Sequence, residues 1–315
     1  MTEVSFTVSE FIEVCNQSLD YAFPGIVVEG EVASFKINQG KWVFFDLKEG
    51  DSSVSCFMVI SQLRAALTDG MKVRVKATPR LTRWGKFSLT VSQVVPVGEG
   101  SIKKSFELLK KKLTAEGLFA PERKRPILRG LSKIGIISST GAAGYVDFLK
   151  ILQNRWGGMQ LQTINTQVQG MAAPEQIIRA LEYFNQRTEV EAIVIVRGGG
   201  SADDLSAFND EGLARAIVAS RIPVMTGIGH EVDESLADLA ADVRASTPSN
   251  AAERLTFDRS EMIRRSHDLL ASTKRTIFDR ISRTEEDLKT HLYDLRQQIF
   301  AKISQTESHL HEVNK

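Results

Sequence analysis

A small β-barrel, then an α/β domain with a parallel sheet, then a long coiled-coil helix is the multidomain architecture predicted here. Three observations predict it. Five strand-like stretches, with a short helical piece after the third, fill residues 25–95. From residue 133, strand-like and helix-like stretches alternate. After Pro248 neither proline nor glycine occurs through Lys315.

Composition sets outer bounds. A chain of 315 residues holds about two domains by length alone. Its 42% hydrophobic and 25% charged content is that of an ordinary globular protein. The formal net charge of +1 gives no global pull toward nucleic acid, so any basic surface must be local. Cys15 and Cys56 are too few for a disulfide framework, and a reducing cytoplasm is expected. No apolar run approaches the roughly 20 residues of a membrane span, and no membrane partner is expected. The first residues, Met-Thr-Glu-Val-Ser-Phe-Thr, lack the basic and apolar regions of a signal peptide.

Residues 7–23 read as a helix capped by Thr7 or Ser9 and stopped by Pro24-Gly25. Strands follow at 25–37, 41–47, 53–60, 71–77 and 85–95. They are β-branched, aromatic or alternating, and are separated by Asn38-Gln39-Gly40, Glu49-Gly50-Asp51 and Asp69-Gly70. A helical piece is expected at 61–67. Five strands with a helix after the third is the order of an OB-fold barrel. Such barrels bind single strands by aromatic stacking and a basic groove. The candidates are Lys36, Lys41, Trp42, Arg80, Arg83, Trp84 and Lys86, with Phe44, Phe57 and Arg64 beside them. Residues 71–86 hold six basic and no acidic side chains. Alternating Lys and Arg on a strand equally describes a solvated face, and Phe45 belongs in the barrel interior.

Residues 101–130 form a basic connector, with Lys103, Lys104, Lys110, Lys111, Lys112, Arg123, Lys124, Arg125 and Arg129. Residues 105–116 look helical, and Gly117 and Pro121 end that run. The connector either tracks phosphates or is a solvated linker; a contribution to DNA binding is expected.

The α/β part is predicted from strands at 133–138, 159–165, 191–197 and 222–228. Helices are expected at 142–155, 174–187, 211–220 and from about 231. Its informative stretch follows the apolar strand Ala192–Val196. There stand Arg197-Gly198-Gly199-Gly200-Ser201, then Phe208-Asn209-Asp210-Glu211. Glycines lacking Cβ let backbone N–H groups approach an oxyanion, and Arg197 can clamp a phosphate bidentately. The run has no G-x-G-x-x-G spacing and no following Gly-Lys-Ser/Thr, which excludes the dinucleotide fingerprint and the P-loop. The next strand ends in Gly229-His230-Glu231-Val232-Asp233. The other four histidines all lie beyond residue 266, in the charged C-terminal helix. On a helix Asp233 would share a face with His230 and raise its basicity. Ser138-Ser139-Thr140-Gly141-Ala142-Ala143, with Asp147 beyond, offers small residues at a helix N-terminus, suited to a phosphate or to an ordinary cap.

In this order and spacing, Arg197–Ser201, Asp204-Leu205, Phe208–Glu211, Ser220–Val224, Gly229–Asp233 and Thr247-Pro248-Ser249 resemble the large subunit of bacterial exonuclease VII. The resemblance extends over the whole chain. It implies an OB-fold that binds single-stranded DNA. It also implies a nuclease that attacks from both the 5′ and 3′ ends without ATP and gives short oligonucleotides. Asp147 stands at the distance from Arg197 that the family's functional aspartate has. Two departures are present: Thr-Gly-Ala-Ala lies one position early and lacks the family's proline, and Val196 replaces the glycine before Arg-Gly-Gly-Gly.

The C-terminal stretch carries Ile263, Leu270, Ile277, Ile281, Leu288, Leu292, Leu295, Ile299, Ile303 and Leu310, mostly three, four or seven apart amid dense charge. Roughly 65 residues at 1.5 Å each give about 100 Å, too long for a compact domain. The resemblance implies that this helix carries the small subunits; a second copy of this chain is the other partner that the seam allows. The family's chains continue further, whereas this sequence ends at Lys315 without a cap signal. A truncated chain and a short natural form both fit.

The resulting expectation has four segments: an OB-fold at 1–100, a connector at 101–130, a catalytic α/β domain at 131–255 and a coiled-coil helix at 256–315. Together they would make a single-strand exodeoxyribonuclease. Arg197 and the amides of Gly198, Gly199, Gly200 and Ser201 would hold the scissile phosphate. His230 would act as general acid or base, or as nucleophile; Asp233 would orient it, and Asp147 would bind water or a metal. No cofactor is obligatory; Mg²⁺ on Asp147, Asp210 and Asp233 is chemically open. Two alternatives stand beside it: a non-catalytic single-strand-binding module, and a small-molecule phosphate-transfer enzyme, which would leave the barrel without a purpose.

Overall fold

The computed structural model describes residues 5–198, 205–229 and 234–313, without the side chains of 308–313. The chain forms two compact units that divide between Phe257 and Asp258.

The first unit begins with α1, Val8–Ala22, which starts as the sequence predicts. Thr7 is the N-cap, and Glu10 completes the reciprocal capping box. Five strands then close into a barrel: β1 (Ile26–Asn38), β2 (Trp42–Glu49), β3 (Ser52–Val59), β4 (Lys72–Leu81) and β5 (Phe87–Pro96), in the order β1-β2-β3-β5-β4. This is an OB-fold barrel, closed where β3 meets β5 in parallel. Strand alternation decides which aromatics are core. Val43, Phe45 and Leu47 of β2 point inward, whereas Trp42 and Phe44 point outward.

The helix expected at 61–67 is absent. Only a 3₁₀ turn, Ile60–Gln62, forms, and the chain then runs without helical structure to β4. The physical reason is that this stretch packs on two sides at once. Leu63, Ala65 and Leu67 join the barrel core, while the intervening Ala66 joins the core of the α/β domain. Alternation of that kind needs extended backbone, because a helix would turn the three barrel-facing residues apart.

A second helix, α2 (Glu99–Ala115), starts six residues earlier than predicted and buries Leu109 and Leu113 in the α/β core. Three of the connector's cations are held by carboxylates of the α/β domain. Arg125 clamps Asp242 through Nε–Oδ1 at 2.9 Å and Nη2–Oδ2 at 2.8 Å, and its backbone N–H also donates to Asp242. Lys110 pairs with Glu234 and Lys112 with Glu211. Burial pushes the Asp242 carboxyl up, but the Arg125 guanidinium and the N–H groups of Val224 and Arg125 outweigh it and hold the group below its ordinary range.

The parallel sheet comprises β6 (Lys133–Ser138), β7 (Gln160–Asn165), β8 (Ala192–Val196), β9 (Val224–Gly227) and a short β10 (Val243–Arg244), in the order β10-β9-β8-β6-β7. Every residue of β8 is buried, as expected for a strand covered on both faces. One face carries α2 with α4 (Ala173–Asn185), α5 (Glu211–Ala219) and α6 (Leu236–Ala240). The other carries α3 (Ala143–Arg155) and α7 (Pro248–Leu255). The helix expected from about 231 is the five-residue α6, whose N-cap is Ser235. α7 and β10 were not foreseen. Pro at the start of α7 and the Thr247 cap carried that signal.

The second unit is one helix, α8, Arg259–Val313, 55 residues and about 80 Å long. Asp258 caps it through Ser260 and Glu261. Every side chain from Arg259 to Glu307 is exposed, including Ile277, Leu288, Leu292 and Leu295 at 53–61%. No helix of the described residues is long and apolar enough to cross a membrane.

Arg125→Ala should lower stability by about 2–3 kcal/mol, because Asp242 is left buried with its charge uncompensated. Arg129→Ala, at an exposed neighbour, should stay within about 0.5 kcal/mol in the same urea titration.

Candidate active site and nucleic-acid interface

The strand order places a topological switch between β6 and β8: the chain leaves β6 for β7 on one side and returns for β8 on the other. Open α/β sheets bind ligands at the carboxyl ends of the strands flanking such a switch. The two strand ends are laced together there. Ser138 Oγ donates to Val196 O at 2.8 Å, and Arg197 N donates to Gly227 O at 3.2 Å. Asn165 Oδ1, at the end of β7, accepts from Thr140 N at 3.0 Å.

The first turn of α3 lies directly on the residues after β8. A Cβ built on Gly144 would stand 2.5 Å from Gly198 Cα, and one built on Gly198 would stand 3.0 Å from Gly144 N. Backbone therefore touches backbone, and neither position admits a side chain without displacing the other segment. Arg197 is 3% exposed beneath this contact. Asp147 sits on the exposed side of α3, beside the buried Gly144 and Phe148. The structure thus brings Arg197, Gly198 and the helix bearing Asp147 together. Gly199, Gly200, Ser201, His230 and Asp233 lie outside the described residues.

Further buried polar atoms belong to the same edge. Thr166 follows β7 and Thr226 is the next-to-last residue of β9; neither hydroxyl has a partner among the described residues, and neither has Oδ1 of buried Asp238. Among the described residues no group of His, Cys, Asp or Glu is arranged to hold a metal ion, so Asp147 and Asp210 form no such cluster there.

The Phe208–Glu211 motif joins several elements. Phe208 is fully buried in the core. Asn209 Oδ1 accepts from Leu236 N at 3.0 Å, which fixes the start of α6. Asp210 caps α5 by accepting from Leu213 N at 2.8 Å. Burial pushes its carboxyl up to about 6, against the opposing pull of the Leu213 N–H, Arg64 and the Gly212 N–H. Glu211 pairs with Lys112 and Arg215, and its N–H donates to Arg64 O. The Ser220–Val224 segment serves a different purpose. It is a turn at the amino end of β9, held by Asn185.

On the barrel, Trp42, Phe44 and Phe57 form an outward aromatic cluster on β2 and β3, with Phe57 5.3 Å from each of the other two rings. Trp84 is 83% exposed at the β4–β5 turn, with the Arg83 guanidinium 5.6 Å from its ring centre. Lys36, Lys41 and Lys86 are exposed. Arg80 is exposed too, and Asp20 of α1 holds it at 3.2 Å. Trp42, Phe44 and Phe57 occupy the strand 2–3 face, and Lys41, Arg83, Trp84 and Lys86 the two loops, by which OB-folds take up oligonucleotides; Lys36 and Arg80 lie on the adjoining β1 and β4.

A family model described as Exonuclease VII, large subunit, matches residues 118–315. The chain belongs to the exonuclease VII large subunit family. A second model, an OB-fold nucleic acid binding domain, matches residues 6–95. Similar curated proteins, each named Exodeoxyribonuclease 7 large subunit, include one from Hamiltonella defensa, 43% identical over 75% of this chain and 53% of its own length. Another, from Sodalis glossinidius, is 39% identical over 82% of this chain and 57% of its own. A third, from Serratia proteamaculans, is 35% identical over 93% and 67%. The chain therefore spans between about half and two thirds of these relatives. A solved replication protein A heterotrimer bound to single-stranded DNA aligns with 24% of this chain and 58% of its own at 15% identity. Its TM-score of 0.21 is too low to support an inference.

Gly144 is the site residue that sequence reading passed over in this member of the exonuclease VII family. Its signal was a glycine in the first turn of a helix that follows a strand, where glycine is otherwise costly. Gly144→Ala should cost about 1–3 kcal/mol by overpacking and pry α3 from Gly198. Gly141→Ala, with nothing within 4 Å of its Cβ, should be neutral in thermal melting.

Proposed function

We propose that this chain hydrolyses phosphodiester bonds of single-stranded DNA as an exonuclease acting from both ends. The observation that carries the reading is the seating of Arg197-Gly198 against the helix of Asp147 at the sheet's switch point, in a chain of the exonuclease VII family. The exposed aromatic cluster on the OB-fold supports a single strand as the substrate.

Arg197 and the amides from Gly198 to Ser201 hold the scissile phosphate and stabilise the charge that develops on its oxygens. His230 moves the proton as general acid or base, oriented by Asp233. Asp147 positions the attacking water. Trp42, Phe44, Phe57 and Trp84 stack bases, while Lys36, Lys41, Arg80, Arg83 and Lys86 neutralise phosphates. The 1–100 segment supplies binding, 131–255 supplies chemistry, and the basic connector 101–130 joins them. The cytoplasm suits two unpaired cysteines, of which Cys56 is held protonated by burial, with its thiol pushed up to about 12.

The third part of the reading is assembly. An exposed apolar stripe of this length cannot be buried by one helix, and at about 25 cal/mol per Å² it favours a partner strongly. Helical small subunits, or a second copy of this chain, would pack along the seam from Ile277 to Ile303 as a coiled coil.

His230→Ala and Arg197→Ala should each reduce cleavage of end-labelled single-stranded DNA by at least about 100-fold, and Arg197→Lys should restore little. Undiminished turnover in His230→Ala would sink the acid–base role; the same assay with a chelator decides whether a divalent cation is needed. Replacing Leu288, Leu292 and Leu295 together by Asp should abolish association in sedimentation, alone and with a co-expressed small subunit. A chain that is monomeric with or without these replacements would refute the coiled coil.

A further inference from the structure

A cleft of about 740 Å³ separates the barrel wall from the α/β domain, within the volume range of ordinary ligand sites. It is not the aromatic face. One wall is the outer side of β4, where Lys72, Arg74 and Lys76 project at alternate positions. Alternate residues on a strand are about 6.7 Å apart, a step comparable to that between phosphates of an extended single strand. The facing wall includes the segments that leave the carboxyl ends of β7 and β8, among them Met171, Asn209 and Asp210. The cleft therefore opens toward the same sheet edge as Arg197.

Its charges are not all satisfied. Glu29 holds Arg74 at 2.9 Å, and Arg64 faces Asp210. Glu175, also on the cleft, lies 4.0 Å from Arg179. Lys72 and Lys76 are exposed and form no ion pair among the described residues. Gln93 Nε2 donates to Met171 O at 2.6 Å, so the two walls are fastened to each other at that point. Farther along, β4 ends about 30 Å from Lys72 and runs into the turn that bears Arg83 and Trp84.

We infer that this cleft holds a stretch of single-stranded phosphodiester backbone, which β4 leads from the aromatic end of the barrel to the carboxyl edge of the parallel sheet. The inference rests on the nuclease reading above. It adds a second strand-binding site, with Lys72 and Lys76 as its phosphate contacts.

The test uses the full chain and hydrolysis-resistant phosphorothioate oligothymidylates of two lengths: about 5 nucleotides, at the low end of what one OB-fold occupies, and about 20. Lys72→Glu with Lys76→Glu should weaken the long oligomer about 10-fold or more and the short one less than about twofold. The slope of log affinity against log salt for the long oligomer should fall by about 1.4, about 0.7 for each of two phosphates. Lys274→Glu, an exposed lysine on α8, should change neither. Lys72→Gln with Lys76→Gln, expected to lose about half as much, replaces the reversal if melting shows that it misfolds. Equal losses on both lengths, or none on the long one, overturn the cleft assignment while cleavage by the unaltered chain keeps the nuclease reading. An unaltered chain that neither binds nor cuts the long strand overturns both.

Discussion

Two glycine backbones in contact fix the geometry on which the rest of this site depends. Gly144 lies in the first turn of α3 and Gly198 follows β8, yet they approach more closely than any Cβ would allow. The residues that follow β8 and the first turn of α3 are thereby packed as one piece. Arg197 is locked beneath it, by burial and by its N–H on Gly227 O. A site that must stabilise charge in a transition state gains from donors that need no reorganisation, and close backbone packing supplies that rigidity.

The same economy of contact links binding to chemistry. Phe208, Asn209, Asp210 and Glu211 are consecutive, yet each faces a different neighbour: the apolar core, the start of α6, Arg64 of the barrel's strap, and Lys112 of α2. This short motif rivets the barrel to the helices of the α/β domain. The strap at 60–67 completes the joint, with alternate residues in two cores. Barrel and α/β domain are accordingly parts of one compact unit, and a strand bound to one is held at a set distance from the other.

Where local pattern and local structure coincide, the sequence was legible. Thr7 or Ser9 as cap and Pro24-Gly25 as stop announced α1, and alternation in 42–47 separated inward Phe45 from outward Trp42 and Phe44. The apolar run of β8 read correctly as a strand buried on both faces. Arg197 and Gly198 stood out because glycine after a buried strand has few purposes. The strap was misread as a helix because its alternation serves two cores, a property of tertiary structure that no local window contains. Gly144 was missed for a related reason: its partner lies more than fifty residues away, and only the fold makes them neighbours. Connector charges such as Arg125 looked like a phosphate track, but their carboxylate partners, Asp242 above all, come from distant sequence.

The two-sided strap also gives the direction of synthesis a physical meaning. All five barrel strands are synthesised before the sheet that receives Ala66 exists, so a barrel that closes early leaves Ala66 without its second core. Translation of the next 125 or so residues takes roughly ten seconds. Throughout that interval the strap is anchored on one side alone, and the joint between barrel and sheet closes only when the later strands are made.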